Sequence, residues 1–270
     1  MFTVVSSVPL GRMSSVLCMF RRFTFTTIAL TSVAMVGATA LVAVGSAVSG
    51  PAQVFEVADR GAEQVQTNPP PATPTARYRV TLNANWTSST HPGSLPPNEH
   101  FSPPVIAVHS APGAMFTVGS LASPGIEAMA EVGSTGGLIS ELTGSGQVST
   151  VDAGSRIPGP GSSAPAVSSP TFDVDVSQSG HLISVVSMLA PSPDWFVGFA
   201  DRATFVDGQW IDSVTFPLGN YDSGTDSGPG FTSGNADTQP AQPISGPRDS
   251  AFIAAAAENP FATVTITKIG

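Results

Sequence analysis

The chain has 270 residues, a length that suits one domain plus an export segment. Its net charge of −9 argues against a nucleic acid or an anionic membrane surface as a partner held by basic attraction. Only 11% of the residues are charged, whereas 27 glycines and 25 prolines favour an all-β protein with many loops over a helical bundle. The single cysteine, Cys18, precedes a long apolar run, so an exported domain after that run would contain no disulfide.

Residues 1–50 have the pattern of an export segment. Arg21 and Arg22 stand before an uncharged run from Phe23 to Val48, which ends among small residues. This pattern predicts a cleaved secretory signal, and its length also permits an uncleaved membrane anchor. Residues 51–76 include a proline cluster and are predicted to be an extended linker. The folded domain is therefore expected at residues 77–270.

The first half of this domain shows both strand and helix signals. Apolar residues alternate with polar ones from Tyr78 to Trp86, as in a half-buried strand. Ser123 and Pro124 form a helix start, since serine caps and proline suits the first helical position. Gly133 is expected to end this helix. Further elements are predicted as strands at residues 105–109 and 115–118 and as a short helix at residues 138–143.

The second half is predicted to be mostly strand and loop. Residues 172–176 and 181–189 are interpreted as a hairpin pair, and the second of these strands is apolar almost throughout, as expected for burial. Further strands are predicted at residues 210–218 and 262–269. Loops are predicted at residues 144–170 and 231–259. Seven or eight such strands indicate a two-sheet antiparallel β-sandwich with one or two short peripheral helices.

Three aspartates flank strand-like residues in two of the predicted loops. Asp194 lies in PSPDWFVG, and Asp222 and Asp226 lie in YDSGTDSG. Carboxylates that converge at short range resist joint ionisation unless a cation lies among them. Oxygen ligands at short spacing, with glycines that permit tight turns, suit calcium.

These segments resemble the spondin domain, the amino-terminal module of F-spondin and mindin. The resemblance extends upstream through WTSSTHP, HFSPPVIAVHS and the run from Gly119 to Gly133, and it covers roughly Arg77 to Gly270. It implies a C2-like sandwich that binds calcium in loops at one end. It also implies Asp194, Asp222 and Asp226 as ligands. A fourth ligand would be Asp175, on the strand before PSPDW, with Asp173 as a substitute.

One departure from the family pattern concerns cysteine. Phe205 stands where an animal spondin domain is expected to have a cysteine, which suggests a microbial member stabilised by its core and metal alone. In animals such domains belong to extracellular matrix and adhesion proteins. The resemblance therefore implies a secreted or cell-surface module that binds a surface protein, a polysaccharide or another copy, with calcium ordering the end loops and no catalysis.

Several alternatives stay open at this point. Histidines 91, 100, 109 and 181 could hold zinc, although their spacing lacks the close pairing of a helical zinc motif. The Asp226–Pro229 segment is similar to a serine-protease nucleophile segment, but no matching histidine segment accompanies it. The acidic cluster could serve an exported hydrolase, or the chain could be a passive envelope protein. Trp195, next to Asp194, is expected to pack beneath its loop and fix the carboxylate.

Overall fold

A computed structural model describes residues 72–159 and 169–270, which belong to one compact unit. The predicted signal or anchor (1–50) and linker residues 51–71 lie outside this part of the chain. Within it, no helix is long and apolar enough to cross a membrane. The first strand begins at Thr75, so the last residues of the predicted linker already belong to the domain.

The smaller of two main sheets has four antiparallel strands, which are β1 (Thr75–Ala84), β6 (Thr171–Ser177), β11 (Ser213–Pro217) and β13 (Ala262–Lys268). Their order across the sheet is β11–β13–β1–β6. The alternation in sequence corresponds to alternation in burial, because successive side chains on a strand point to opposite faces. Tyr78, Val80 and Leu82 are buried, whereas Arg77 and Arg79 are exposed.

The larger sheet has seven antiparallel strands. They are β2 (His100–Phe101), β3 (Val105–His109), β4 (Val148–Ala153), β5 (Ile157–Pro158), β7 (Leu182–Ala190), β8 (Trp195–Ala203) and β12 (Gly219–Asp222). The path runs β12–β8–β7–β2–β5, and β3 pairs with both β7 and β4. A separate two-stranded ribbon joins β9 (Phe205–Val206) to β10 (Gln209–Trp210).

Strand β7 is buried on both faces, which explains its nearly continuous apolar sequence. Ile183, Val185 and Leu189 pack in the core between the two sheets. Val186 and Met188 pack in a second core, under the helices on the other side of the larger sheet. The predicted all-β, two-sheet antiparallel sandwich with few helices is confirmed.

The hairpin predicted from β6 to β7 is wrong. β6 pairs with β1 in the smaller sheet, whereas β7 pairs with β3 and β8 in the larger one. The turn between β6 and β7 therefore carries the chain from one sheet to the other. The apolar patterns of β6 and β7 are compatible with a hairpin and with a crossing between sheets, because each strand buries the same face in both arrangements.

The predicted first helix is confirmed with its caps. The Oγ of Ser123 accepts from the backbone N–H of Ile126 at 3.2 Å, α1 spans Pro124–Val132, and Gly133 ends it with φ at 68°. The second helix, α2, is longer than predicted and spans Gly136–Gly144.

Four other predictions need correction. The strand expected at residues 115–118 is irregular chain. The predicted loop 144–170 contains β4 and β5, and the predicted loop 231–259 contains a helix, α3, at Ser250–Glu258. The alanine-rich sequence of α3 favours a helix, and its buried Phe252 and Ala255 anchor it to the core. The strand expected at 210–218 is divided between β10 and β11.

Candidate metal centre

Strand pairing in the larger sheet brings the two predicted acidic loops together. β12 runs antiparallel to β8, and Asp222 at the end of β12 lies opposite Trp195 at the start of β8. Asp194 directly precedes Trp195, and its carbonyl accepts from the backbone N–H of Ser223 at 3.1 Å. The loop after β12 therefore starts beside Asp194, at one end of the strands.

This loop encloses one oxygen of the Asp194 carboxylate. Asp194 Oδ2 accepts from the hydroxyl of Ser223 at 3.0 Å and from the backbone N–H groups of Thr225 and Asp226 at 2.8 and 3.2 Å. Asp194 is fully buried, and its Oδ1 has no hydrogen-bond partner among the described residues. A buried polar atom without a partner is costly and calls for a physical explanation.

The other two aspartates shape the backbone of the same loop. Asp222 Oδ1 accepts from the N–H of Gly224 at 2.9 Å, and Asp226 Oδ1 accepts from the N–H of Gly228 at 2.7 Å. Each is a side-chain bond two residues ahead, which is typical of a tight turn. Gly224 has φ at +78°, and a Cβ there would stand 2.2 Å from the carbonyl oxygen of Gln242. The close packing of this loop therefore requires glycine at position 224.

Within residues 72–159 and 169–270, one cation, Arg248, lies against the cluster. Its Nε is 3.5 Å from Asp222 Oδ1, and the Asp222 side chain is only 3% exposed. The same guanidinium donates to Ser245 Oγ at 2.5 Å and to the carbonyl of Pro243. A single positive charge at the edge of the cluster does not balance three carboxylates.

Burial makes negative charge costly at this site. It raises the pKa of Asp222 to about 7, with the nearby Asp194 carboxylate acting in the same direction and Arg248 opposing it. Burial also raises the pKa of Asp194, although the three hydrogen bonds to its Oδ2 oppose this. Protonation of these carboxylates or a nearby positive charge therefore stabilises this site.

Glu131 of α1 adds a fourth carboxylate beside the cluster. Burial raises its pKa, and its side chain bonds to that of Thr225, which opposes the rise. Glu131 and Asp226 both line a small cavity of about 120 Å³. A neighbouring cavity of about 510 Å³ also has Glu131 in its lining, together with Val132, Ser192 and Ser233, which are common to both cavities.

Asp175 does not join the three aspartates. It lies on β6 of the smaller sheet, its side chain is 73% exposed, and it is 3.6 Å from Arg77 on the neighbouring strand. Asp173 likewise faces outward and forms two bonds of 2.7 Å to Arg79. The expected fourth ligand on this strand is therefore corrected, because Phe172, Val174 and Val176 occupy its inward positions.

Trp195 packs beneath the acidic loop, as predicted. It is fully buried, and its ring stacks on Phe252 of α3 with centroids 4.5 Å apart. Tyr221, beside Asp222, stacks on Phe196 in the same way, at 5.2 Å. These contacts fix the chain on both sides of the cluster.

The four histidines make separate hydrogen bonds. His91, His100, His109 and His181 each have a ring nitrogen within 3.0 Å of a backbone carbonyl oxygen. His91 also stacks on Phe261, and burial lowers its pKa. Nothing in the described ranges brings these side chains together as zinc ligands.

In the conformation described for residues 72–159 and 169–270, no three His, Cys, Asp or Glu side chains are already arranged to hold a metal ion. Both oxygens of Asp226 accept backbone N–H groups, and Arg248 lies beside Asp222. The donor chemistry nevertheless fits a hard cation, since it consists of carboxylate oxygens with one buried oxygen unpartnered. Sequence reasoning missed Glu131 and Arg248, since neither stands in a spacing typical of a metal site.

The fold and the cluster together define an antiparallel β-sandwich with an acidic loop site at the end of its strands. Residues 76–269 match the protein-family model Spondin_N. The chain therefore belongs to the spondin amino-terminal domain family, and the resemblance seen in its motifs is confirmed.

Curated relatives agree with this assignment. The chain is 34% identical to spondin-1 of Gallus gallus over 173 residues, which are 63% of this chain and 22% of that protein. It is 33% identical to spondin-2 of Rattus norvegicus over 192 residues, which are 68% of this chain and 55% of that protein. The chain thus spans about a fifth of spondin-1 and about half of spondin-2.

Proposed function

We propose that this protein is an exported, calcium-binding spondin module that binds a component of the cell surface or the surrounding matrix. The observation that carries the proposal is the fully buried Asp194, whose Oδ1 has no hydrogen-bond partner among the described residues and whose carboxylate interacts electrostatically with those of Asp222 and Asp226. Family membership supports the extracellular setting, because spondin domains of animals belong to matrix and adhesion proteins.

Three aspartates would provide the oxygen ligands for the ion. Asp194 offers its free Oδ1 while Oδ2 holds the loop, and Asp222 and Asp226 add oxygen atoms at the loop's two turns. Bound calcium would supply the positive charge that these carboxylates lack. The loop of residues 222–228 is then fixed from both sides, by its own hydrogen bonds and by the ion.

The contact surface is proposed to lie beside this loop. The cavity of about 510 Å³ combines apolar side chains such as Met188 and Phe231 with polar ones such as His100 and Ser192. Val132, which also lines this cavity, is 72% exposed. A mixed lining of this kind suits a surface protein or a polysaccharide, and the ordered loop would determine its shape.

Catalysis by a serine nucleophile is not proposed, because Ser184 and Ser227 both make structural hydrogen bonds. Ser184 Oγ is 2.8 Å from Nε2 of His109, but both residues are fully buried. That hydroxyl also accepts the backbone N–H of Asp201 at 2.9 Å, as expected for a structural bridge. In the serine-protease-like segment, Ser227 donates to the carbonyl of Ala236 at 3.0 Å.

The first test is thermal unfolding with and without calcium. A ligand at a hundredfold excess over its Kd adds about 2.7 kcal/mol to the free energy of unfolding. For a domain of this size we expect the melting temperature to rise by about 5–10 °C. Asp222→Asn should abolish most of this response. An unchanged melting temperature at millimolar calcium would contradict the calcium proposal.

The second test addresses the partner. The protein, immobilised on beads, is mixed with surface extracts in calcium and in chelator. Capture that requires calcium and is lost in Asp222→Asn supports binding through the ordered loop. Equal capture in both conditions places the contact elsewhere, and no capture favours a passive envelope component.

A further inference from the structure

Arg248 is placed by its own segment against the most buried part of the acidic cluster. Ser245 and Asp222 form a two-bond backbone bridge, with both N–H to O distances at 3.0 Å. The segment that starts at Ser245 therefore lies next to Asp222 in space, and it leads through Arg248 to the start of α3 at Ser250. This connection holds the guanidinium near the Asp222 carboxylate.

The two ends of this connection are anchored independently of the guanidinium. Phe252 of α3 is fully buried and stacks on Trp195. The Arg248 side chain is 34% exposed and contacts Asp222 across 3.5 Å, longer than a direct hydrogen bond. To turn outward to water, the side chain has to give up its hydrogen bonds to Ser245 Oγ and to the carbonyl of Pro243, whereas the backbone bridge and the stacked Phe252 can stay in place.

An ion held by Asp222 would bring a second positive charge close to the guanidinium, which already lies 3.5 Å from Asp222 Oδ1. Two cations close to one carboxylate repel each other, and the repulsion is stronger near buried groups than in water. Arginine keeps its charge at any ordinary pH, so deprotonation cannot relieve this repulsion.

We infer that Arg248 is a built-in counter-ion of the acidic cluster, which partly neutralises Asp222 in the metal-free protein and competes with the cation for it. The inference rests on the proposed calcium site. In this arrangement Arg248 lowers the affinity for calcium and keeps the metal-free loop folded. Asp222 then pairs with Arg248 at low free calcium and with the calcium ion at high free calcium.

The test is a calcium titration by calorimetry on the purified chain, comparing Arg248→Gln with Arg79→Gln. The two variants lose the same charge, but Arg79 pairs with Asp173 on the outer face of the smaller sheet. We expect Arg248→Gln to bind calcium about tenfold more tightly than Arg79→Gln, which corresponds to about 1.4 kcal/mol of competition. In chelator, Arg248→Gln should also melt at a lower temperature than Arg79→Gln, and saturating calcium should remove most of that difference.

Arg248→Lys separates charge from shape, and its affinity should stay near that of the wild type. If Arg248→Gln unfolds in chelator but folds in calcium, the counter-ion role is supported. If the wild type and both glutamine variants bind calcium with equal affinity, Arg248 does not compete and the calcium proposal stands alone. If none of them binds at millimolar calcium, both proposals are wrong.

Discussion

The protein has two contrasting sets of carboxylates, one inside the acidic loop and one on the outer face of the smaller sheet. Asp194 and Asp222 are buried, and burial raises the pKa of both. On the outer face, hydrogen bonds from Arg79 lower the pKa of Asp173, which stays in contact with water. The same residue type is thus hard to ionise in one place and easy to ionise in the other.

The difference shows that a count of acidic residues does not identify a cation site. On the sheet, each aspartate faces an arginine on the neighbouring strand, so its charge is already matched. In the loop, backbone N–H groups and one arginine match the charge only in part. A carboxylate favours an added cation when it is buried and its negative charge is only partly compensated by neighbouring groups.

The largest expected contrast is in stability. Asp194→Ala removes the acceptor for three donors of the loop, and a buried donor left unsatisfied costs about 1–3 kcal/mol. We expect a loss of about 3 kcal/mol or more in calcium-free urea denaturation. Asp175→Ala, on the exposed face, should change stability by no more than about 0.5 kcal/mol. Similar losses for the two variants would remove the distinction between the two regions.

A second contrast concerns pH in the absence of calcium. The folded pKa of Asp222, about 7, lies above its ordinary value of 3.8. Its protonation therefore contributes stability in full below pH 3.8, and that contribution is lost as the pH rises through about 7. Relative to Asp222→Asn, the wild type should lose stability with rising pH by up to about 1.4 kcal/mol per unit in this window.

Buried histidines act in the opposite direction and must be controlled. Burial lowers the pKa of His91 and His109, so the stability from keeping them neutral is present above pH 6.5 and falls as the pH drops. Both histidines are shared by the wild type and Asp222→Asn. The difference between the two stability curves therefore isolates Asp222, and parallel curves would contradict its raised pKa.

A smaller contrast is expected in the linkage between calcium and protons. Because a cation displaces the proton from Asp222, calcium affinity should rise by no more than about tenfold per unit as the pH increases toward 7. Calorimetry in two buffers of different ionisation enthalpy measures the proton released. On binding calcium, Asp175→Asn should release the same number of protons as the wild type, whereas Asp222→Asn should release fewer protons.

Local signals in the sequence were enough for much of the fold and for the three aspartates that the fold brings close together in the candidate site. The caps of α1 depend on neighbouring residues, Ser123, Pro124 and Gly133, and they were predicted correctly. The two acidic motifs identified Asp194, Asp222 and Asp226, which the β8–β12 pairing brings together. The alternation within β6 also contained the information that Asp175 faces outward, between buried Val174 and Val176.

The remaining features depend on contacts between distant parts of the chain. Whether β6 and β7 form a hairpin or cross between sheets is decided by their partners β1 and β8, not by their own sequences. Glu131 reaches the site because α1 packs on the larger sheet, and Arg248 does so through the bridge between Ser245 and Asp222. No spacing within one segment could have indicated either residue.

The most direct measurement of the central claim is a calcium titration of Asp222→Asn and Asp175→Asn, side by side with the wild type. Both variants lose one negative charge, but only Asp222 lies in the buried cluster. The prediction is that Asp175→Asn binds as the wild type does and that Asp222→Asn binds at least about tenfold more weakly, a loss of about 1.4 kcal/mol. Equal weakening in both variants, or calcium binding that is unaffected by Asp222→Asn, would contradict a cation site at the end of the sandwich.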